Sequence, residues 1–323
     1  MKSYLSFLAL TVWITALVSN QAFAQSGYPN QPIRFIVPYT AGGGVDKVAR
    51  TIGEKLTKSL SVPVIIDNRG GAAGNIGTNI ASKSPPNGYT MMMGAAALAI
   101  NVSLYKSLPF DPVKDFQPIV LVAKTPNILV VNPRLPVKNL KDLIRLVKSK
   151  PGILNYASAG NGTTPHLAAE LLDTFADIKM THIPYKGSAP AVTAIVGGEV
   201  DVMISPALTV LPFIKSGALR AIATTGAKRS PAFPDIPTMS ESGLPDYEAS
   251  QWYGIFVPAG TPIEIVNRLN REIIKITQSP DVREIFEADG SEVIGDSPEQ
   301  FSQFFKLEII RWSKVVKVED RLN

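Results

Sequence analysis

Twice along this chain a short apolar run ends in a loop of glycines and small hydroxyls, and helical spacing starts directly afterwards. Ile33-Arg34-Phe35-Ile36-Val37-Pro38 reads as a strand and Ala41-Gly42-Gly43-Gly44 as the turn. Val45, Val48, Ile52 and Leu56 then recur at helical spacing. The second copy runs from Leu154-Asn155-Tyr156-Ala157 through a loop, Ser158 to Pro165, into a helix from His166 to Phe175. Such units build an α/β fold with largely parallel sheets, whose ligands bind beyond the carboxyl ends of the strands.

Further segments repeat the alternation. Strands are expected at Val62 to Asp67, Tyr89 to Gly94, Thr181 to Tyr185, Val200 to Ile204 and Trp252 to Val257. Helices are expected up to about Ser82 after Asn68 to Gly77, and at Asn139–Lys148, Ala189 to Gly197, Ile263 to Ile276, Asp281 to Ala288 and Pro298 to Val318. Ile119 to Val131 is β-rich but interrupted at Thr125-Pro126-Asn127, which suits a chain crossing between two units, and Leu219 to Thr224 reads as the returning strand. The expected plan is a leader over 1–24, a first lobe over 25–125, a second over 126–225, and a return to the first over 226–323.

The leader reading rests on Lys2, the apolar run from Leu5 to Val18, and Ala22-Phe23-Ala24 ahead of Gln25. This is the layout of a secretory signal peptide cleaved near Ala24, and it predicts a periplasmic protein; an uncleaved anchor fits it less well. No cysteine follows the cleavage site, as a lipid anchor would need, and the chain has no cysteine anywhere. That excludes thiolate metal sites and cysteine nucleophiles. The formal charge of +5 is spread along the chain without a basic cluster, so nucleic acid is not an expected partner.

The two glycine loops carry the chemistry. Tyr39, Ala41, Gly42, Gly43 and Asp46 surround the first helix start, where unpaired N–H groups suit an anion. A merely tight turn is the competing reading. Ser158, Gly162, Thr163, Thr164 and His166 form the second loop, whose hydroxyls can turn toward a carboxylate. One threonine is expected to serve only as a helix cap. Ser188 after Gly187 either lines the cleft or caps its helix, and Asp201 either meets a ligand cation or ends a turn. Arg69 is read as pairing with a nearby acid in a surface loop. His166 and His182, the only histidines, show no metal-binding spacing, so no metal or cofactor is expected. Ser158 and His166 invite a serine-hydrolase reading. No G-x-S-x-G elbow supports it, and binding ranks ahead of catalysis.

Read together, these segments resemble the substrate-binding proteins of tripartite tricarboxylate transporters, the Bug family. The resemblance runs through Pro38-Tyr39-Thr40-Ala41-Gly42-Gly43 with Asp46, Asn68-Arg69, Asn87-Gly88-Tyr89-Thr90 and Leu108-Pro109-Phe110-Asp111. It continues through Tyr156-Ala157-Ser158 to His166, His182-Ile183-Pro184-Tyr185-Lys186-Gly187, Asp235-Ile236-Pro237-Thr238, Trp252-Tyr253-Gly254, Pro258-Ala259-Gly260-Thr261-Pro262 and Arg311-Trp312. The family usually has proline after Asn-Arg; Gly70 stands there instead. The resemblance implies a type II periplasmic-binding fold whose two lobes close on a ligand like a flytrap. It implies a non-enzymatic, monomeric receptor in which both loops hold a small carboxylate for two membrane subunits of the transporter. A ligand sensor for a membrane histidine kinase is the alternative on the same fold.

Overall fold

A computed structural model of the chain describes residues 27–288, 290–314 and 316. The leader segment therefore lies outside the described residues. The first lobe opens with β1 (Ile33–Val37), α1 (Gly44–Leu60), β2 (Val64–Asn68), α2 (Asn75–Ser82), β3 (Thr90–Ala95), α3 (Ala97–Leu104) and β4 (Phe116–Thr125). The second lobe holds β5 (Asn127–Val131), α4 (Leu140–Ser149), β6 (Asn155–Ser158), α5 (Thr164–Ala176), β7 (Thr181–Pro184), α6 (Ser188–Gly197), β8 (Val202–Pro206), α7 (Ala207–Lys215) and β9 (Arg220–Thr224). The chain then returns through β10 (Gln251–Pro258), α8 (Ile263–Thr277), α9 (Pro280–Ala288), β11 (Glu292–Val293) and α10 (Pro298–Ser313).

The strands form two sheets, ordered β11-β4-β10-β3-β1-β2 and β7-β6-β8-β5-β9. β1 pairs parallel with β2 and β3, and β6 pairs parallel with β7 and β8. Neither sheet is largely parallel, because β10 is antiparallel to β3 and β4, and β5 is antiparallel to β8 and β9. The reason lies in the crossings. β1 and β6 run toward the loops of the cleft, whereas β5 and β10 start at the hinge and run away from it.

Each sheet is covered on both faces. Phe35 packs under α1 and α8, with Val48, Ile52, Leu269 and Ile273, while Ile36 faces the opposite layer with Leu104, Phe301 and Phe305. The second sheet has Leu143, Val147 and Leu172 on one side, and Val192, Ile195 and Val210 on the other. Each such fully buried side chain contributes about 1.5–3 kcal/mol. The period-2 alternation of β1 is thus used on both faces.

The first crossing is abrupt: β4 of the first sheet and β5 of the second are separated by Pro126 alone. The return comes later than expected. β9 stays in the second sheet beside β5. Beyond it, Met239, Leu244, Tyr247 and Ala249 still pack into the second lobe's core. The Ala249 N–H donates to Thr225 O at 3.0 Å, so the chain changes sheets only at Gln251. Hydrogen bonds between segments distant in sequence hold the proline-rich stretch there, and these have no periodic signature.

β10 is anchored where it enters. The Trp252 and Trp312 indoles both donate to Glu308 Oε2, at 3.1 and 3.2 Å. Glu308 is itself buried, and Arg311 donates to its other oxygen at 3.3 Å. This fully partnered carboxylate locks α10 against β10 and fixes the backbone next to Gln251.

Candidate functional site

The lobes meet over a narrow cavity. Five helix starts border it: Gly43, Gly44 and Val45 of α1, Ala97 of α3, Thr163 to Pro165 of α5, Ser188 of α6 and Pro206 before α7. None of these five helices has a side-chain cap. Away from the cavity, α4 is capped by Asn139 and α10 by a reciprocal Ser297–Gln300 box, while α2 and α8 are uncapped too. The first N–H groups of a helix carry partial positive charge and lack intrahelical partners. Tyr39, Thr40, Ala159 and Gln251 complete the lining, which holds no charged side chain among the described residues. A more open space shares Tyr39 and Ala159 with it and is bordered by Asn161, Tyr105 and Lys186.

The first loop is held from behind by Asp46. Its Oδ2 accepts from Gly42 N–H at 2.8 Å and Arg50 Nε at 2.9 Å, and its Oδ1 accepts from Asn68 Nδ2 at 2.9 Å. Asn68 Nδ2 also donates to Tyr39 O at 3.0 Å. Burial pushes the Asp46 carboxyl up, but the hydrogen bonds from Arg50, Gly42 and Asn68 outweigh it and hold the group below the usual carboxylate range. Tyr39 donates to Ala73 O at 3.3 Å, and burial keeps its phenol above the ordinary range, hence neutral.

The second loop is built similarly. Ser158 is fully buried, its Oγ accepts from Gly160 N–H at 3.0 Å, and it lies 2.6 Å from His182 Nε2. His166 Nδ1 accepts from Gly162 N–H at 3.2 Å, and its ring stacks on His182 at 4.2 Å between centroids. Ser158 thus meets His182, not His166, and the pair is buried and absent from the cavity lining. Thr163 stands at the cap position, yet its hydroxyl donates to Gly160 O at 2.7 Å. Thr164 Oγ1 donates to Gln251 Oε1 at 3.0 Å.

Of the residues singled out from the sequence, Tyr39, Gly43, Thr163, Thr164 and Ser188 border the cavity. Gly42, Asp46, Ser158, Gly162 and His166 shape the loops behind it, and Ala41 is exposed beside Gly42. Asp201 is elsewhere. It precedes β8, at the far end of the sheet, where its carboxylate accepts from Asn155 N–H at 3.0 Å. Its own N–H donates to Asn155 Oδ1 at 2.9 Å. It ties strand starts together and is not brought to the cleft. Arg69 pairs with Asp67 at 2.8 Å, as the surface-loop reading expected. Thr40, Ala97, Pro206 and Gln251 were not singled out. α3 has no amphipathic pattern, so no such signal marked its start.

The family model for the tripartite tricarboxylate transporter family receptor matches residues 48–320. BugT of Bordetella pertussis is 40% identical over 292 residues, covering 90% of each chain. A solved structure described as a periplasmic transporter is 35% identical with a TM-score of 0.89, over 92% of this chain and all of the other. MatC from Rhodopseudomonas palustris, solved with bound malate, is 32% identical with a TM-score of 0.86, over 90% of this chain and all of the other.

Proposed function

The chain belongs to the tripartite tricarboxylate transporter receptor family, and from that premise we propose that it captures a small carboxylate in the periplasm and presents it to the membrane subunits of such a transporter. One observation carries the reading: five uncapped helix starts converge on a cavity without a charged side chain. Backbone N–H groups and hydroxyls at that point bind one anionic group and leave no compensating charge behind when it departs. Both lobes contribute donors, so the ligand makes its full set of contacts only when they are closed, and it selects that state.

The receptor works as a monomer and performs no chemical step. Ser158, the nucleophile a hydrolase would need, is buried and absent from the cavity lining. A periplasmic address fits the leader read at the N-terminus and the periplasmic relative. The test is thermal melting of protein refolded from denaturant, so that captured ligand is lost, against malate, adipate, glutamate, benzoate and a neutral sugar. Ligand at about 100 times Kd adds roughly 2.7 kcal/mol of stability. A rise with at least one acid and none with the sugar supports the reading. A flat response to every acid, or labelling of Ser158 by an organophosphate, overturns it.

A further inference from the structure

Gln251 opens β10 at the return crossing, is only 6% exposed, and borders the cavity. Its Oε1 accepts three hydrogen bonds: from Ala96 N–H at 3.2 Å, Trp252 N–H at 3.3 Å and the Thr164 hydroxyl at 3.0 Å. Two of these donors are backbone N–H groups, which settles the orientation of the amide. Turning it over would set donor against donor. All three bonds use the oxygen, and Nε2 donates to no protein atom among the described residues.

The three donors come from both lobes, two from the first and one from the second. Ala96 precedes α3 in the first lobe, Thr164 starts α5 in the second, and Trp252 is pinned by Glu308. The Thr164 bond joins the first sheet to the second lobe. Nε2 keeps two N–H bonds unused, and of the two spaces Gln251 borders, the one between the helix starts has no acidic side chain in its lining, whereas the hinge-side one has Glu248, Glu292 and Glu308.

We propose that Gln251 is a ligand-binding residue that couples capture to closure: Nε2 donates to the bound carboxylate while Oε1 joins Ala96 of the first lobe to Thr164 of the second. The ligand and the closed lobes then hold one amide from its two ends. Opening breaks the Thr164 bond and loosens the donor at the same moment. This inference rests on the carboxylate-receptor reading.

The test is Gln251→Glu, which keeps the accepting oxygen but replaces the cavity donor with a carboxylate oxygen. That oxygen lies among the helix starts and mimics the ligand. Refolded wild type and variant are titrated calorimetrically with malate, adipate, glutamate and benzoate. Their free forms are compared by melting and by small-angle scattering. The expected result is a loss of affinity of at least 100-fold, a melting temperature unchanged or raised, and a compact free form. Affinity within threefold of wild type overturns the proposal. A fall in both melting temperature and affinity assigns Gln251 a packing role and overturns it equally. Gln251→Met keeps the length without either polar atom and guards against a folding failure of the first variant. It is expected to bind at least tenfold more weakly, and wild-type affinity there overturns the proposal too. Wild type that binds none of the four acids removes the carboxylate reading, and this inference with it.

Discussion

The Ser158 hydroxyl lies 2.6 Å from His182 Nε2, so the second binding loop rests on an imidazole from the neighbouring strand β7. His182 is sandwiched between Tyr156, at 4.8 Å between ring centroids, and His166, at 4.2 Å. Burial, and then the adjacent His166, push its pKa down to about 3. His182 is therefore a neutral structural partner at physiological pH.

The sign of the resulting pH dependence follows from linkage. The unfolded chain takes up a proton at His182 near pH 6.5 and the folded chain only near 3. The stability it confers is complete above pH 6.5 and is lost as pH falls through that window. Replacing it in His182→Asn is expected to cost most near pH 7, with the difference from wild type shrinking toward pH 4. Urea unfolding at stepped pH measures this, and a constant difference across the range would refute it.

Asp173 acts in the opposite sense. Burial, reinforced by Glu170 against one hydrogen bond from Met180 N–H, raises its pKa to about 7. The folded chain holds this proton where the unfolded chain has released it, so the carboxyl's contribution is complete below about pH 4 and declines as pH rises to 7. Asp173→Asn is expected to stabilise above pH 7 by about 1 kcal/mol, discounted for partial solvent screening, with no gain near pH 4. Unfolding of both proteins at pH 4 and pH 8 checks it.

Asp46 holds the first loop without entering the cavity. Asp46→Ala leaves the Gly42 N–H without its acceptor and takes one of two acceptors from the Asn68 amide, at a cost of about 1–3 kcal/mol. Ligand affinity is expected to fall at least tenfold, because the Gly43 and Gly44 N–H groups lose their fixed aim. Calorimetry read beside urea unfolding separates the two effects. Retained affinity would show that the loop is ordered by other contacts.

Gly187 presses against Thr40 across the cleft. A Cβ at this position would overlap the Thr40 hydroxyl, and the φ of 152° disfavours any side chain. The clash lies between lobes, so Gly187→Ala is expected to leave each lobe folded while blocking closure. Affinity should drop at least tenfold, and scattering with ligand should retain an open shape. A compact liganded form in this variant would refute the steric argument.

Gly43 differs, since a Cβ there meets nothing nearer than Ser188 Cβ at 3.8 Å. Gly43→Ala is expected to fold normally, whereas Gly43→Val extends methyl groups toward Ser188 in the space for an anion and should abolish binding. Melting and calorimetry of both check this. Unchanged affinity in Gly43→Val would remove the first loop from the site.

The sequence by itself determined the elements and the two loops. Strand alternation, helical spacing and glycine turns are local properties, readable within a dozen residues. The motifs spread along the chain likewise sufficed to place it in its family. What the tertiary structure decided is which distant residues meet. Gln251 bonds to Ala96 across 155 positions and to Thr164 across 87, and neither spacing leaves a periodic trace. Asp201 looked like a ligand group because a lone carboxylate near a strand does not say which end of the sheet it occupies. β9 looked like the return because a strand's sequence does not name its partner. Ser158 found His182 rather than the closer His166, because parallel strands set β6 against β7 while the helix carries His166 around its own axis. Pairing and closure arise from contacts made after the chain has folded back on itself, so they belong to the fold and not to any segment.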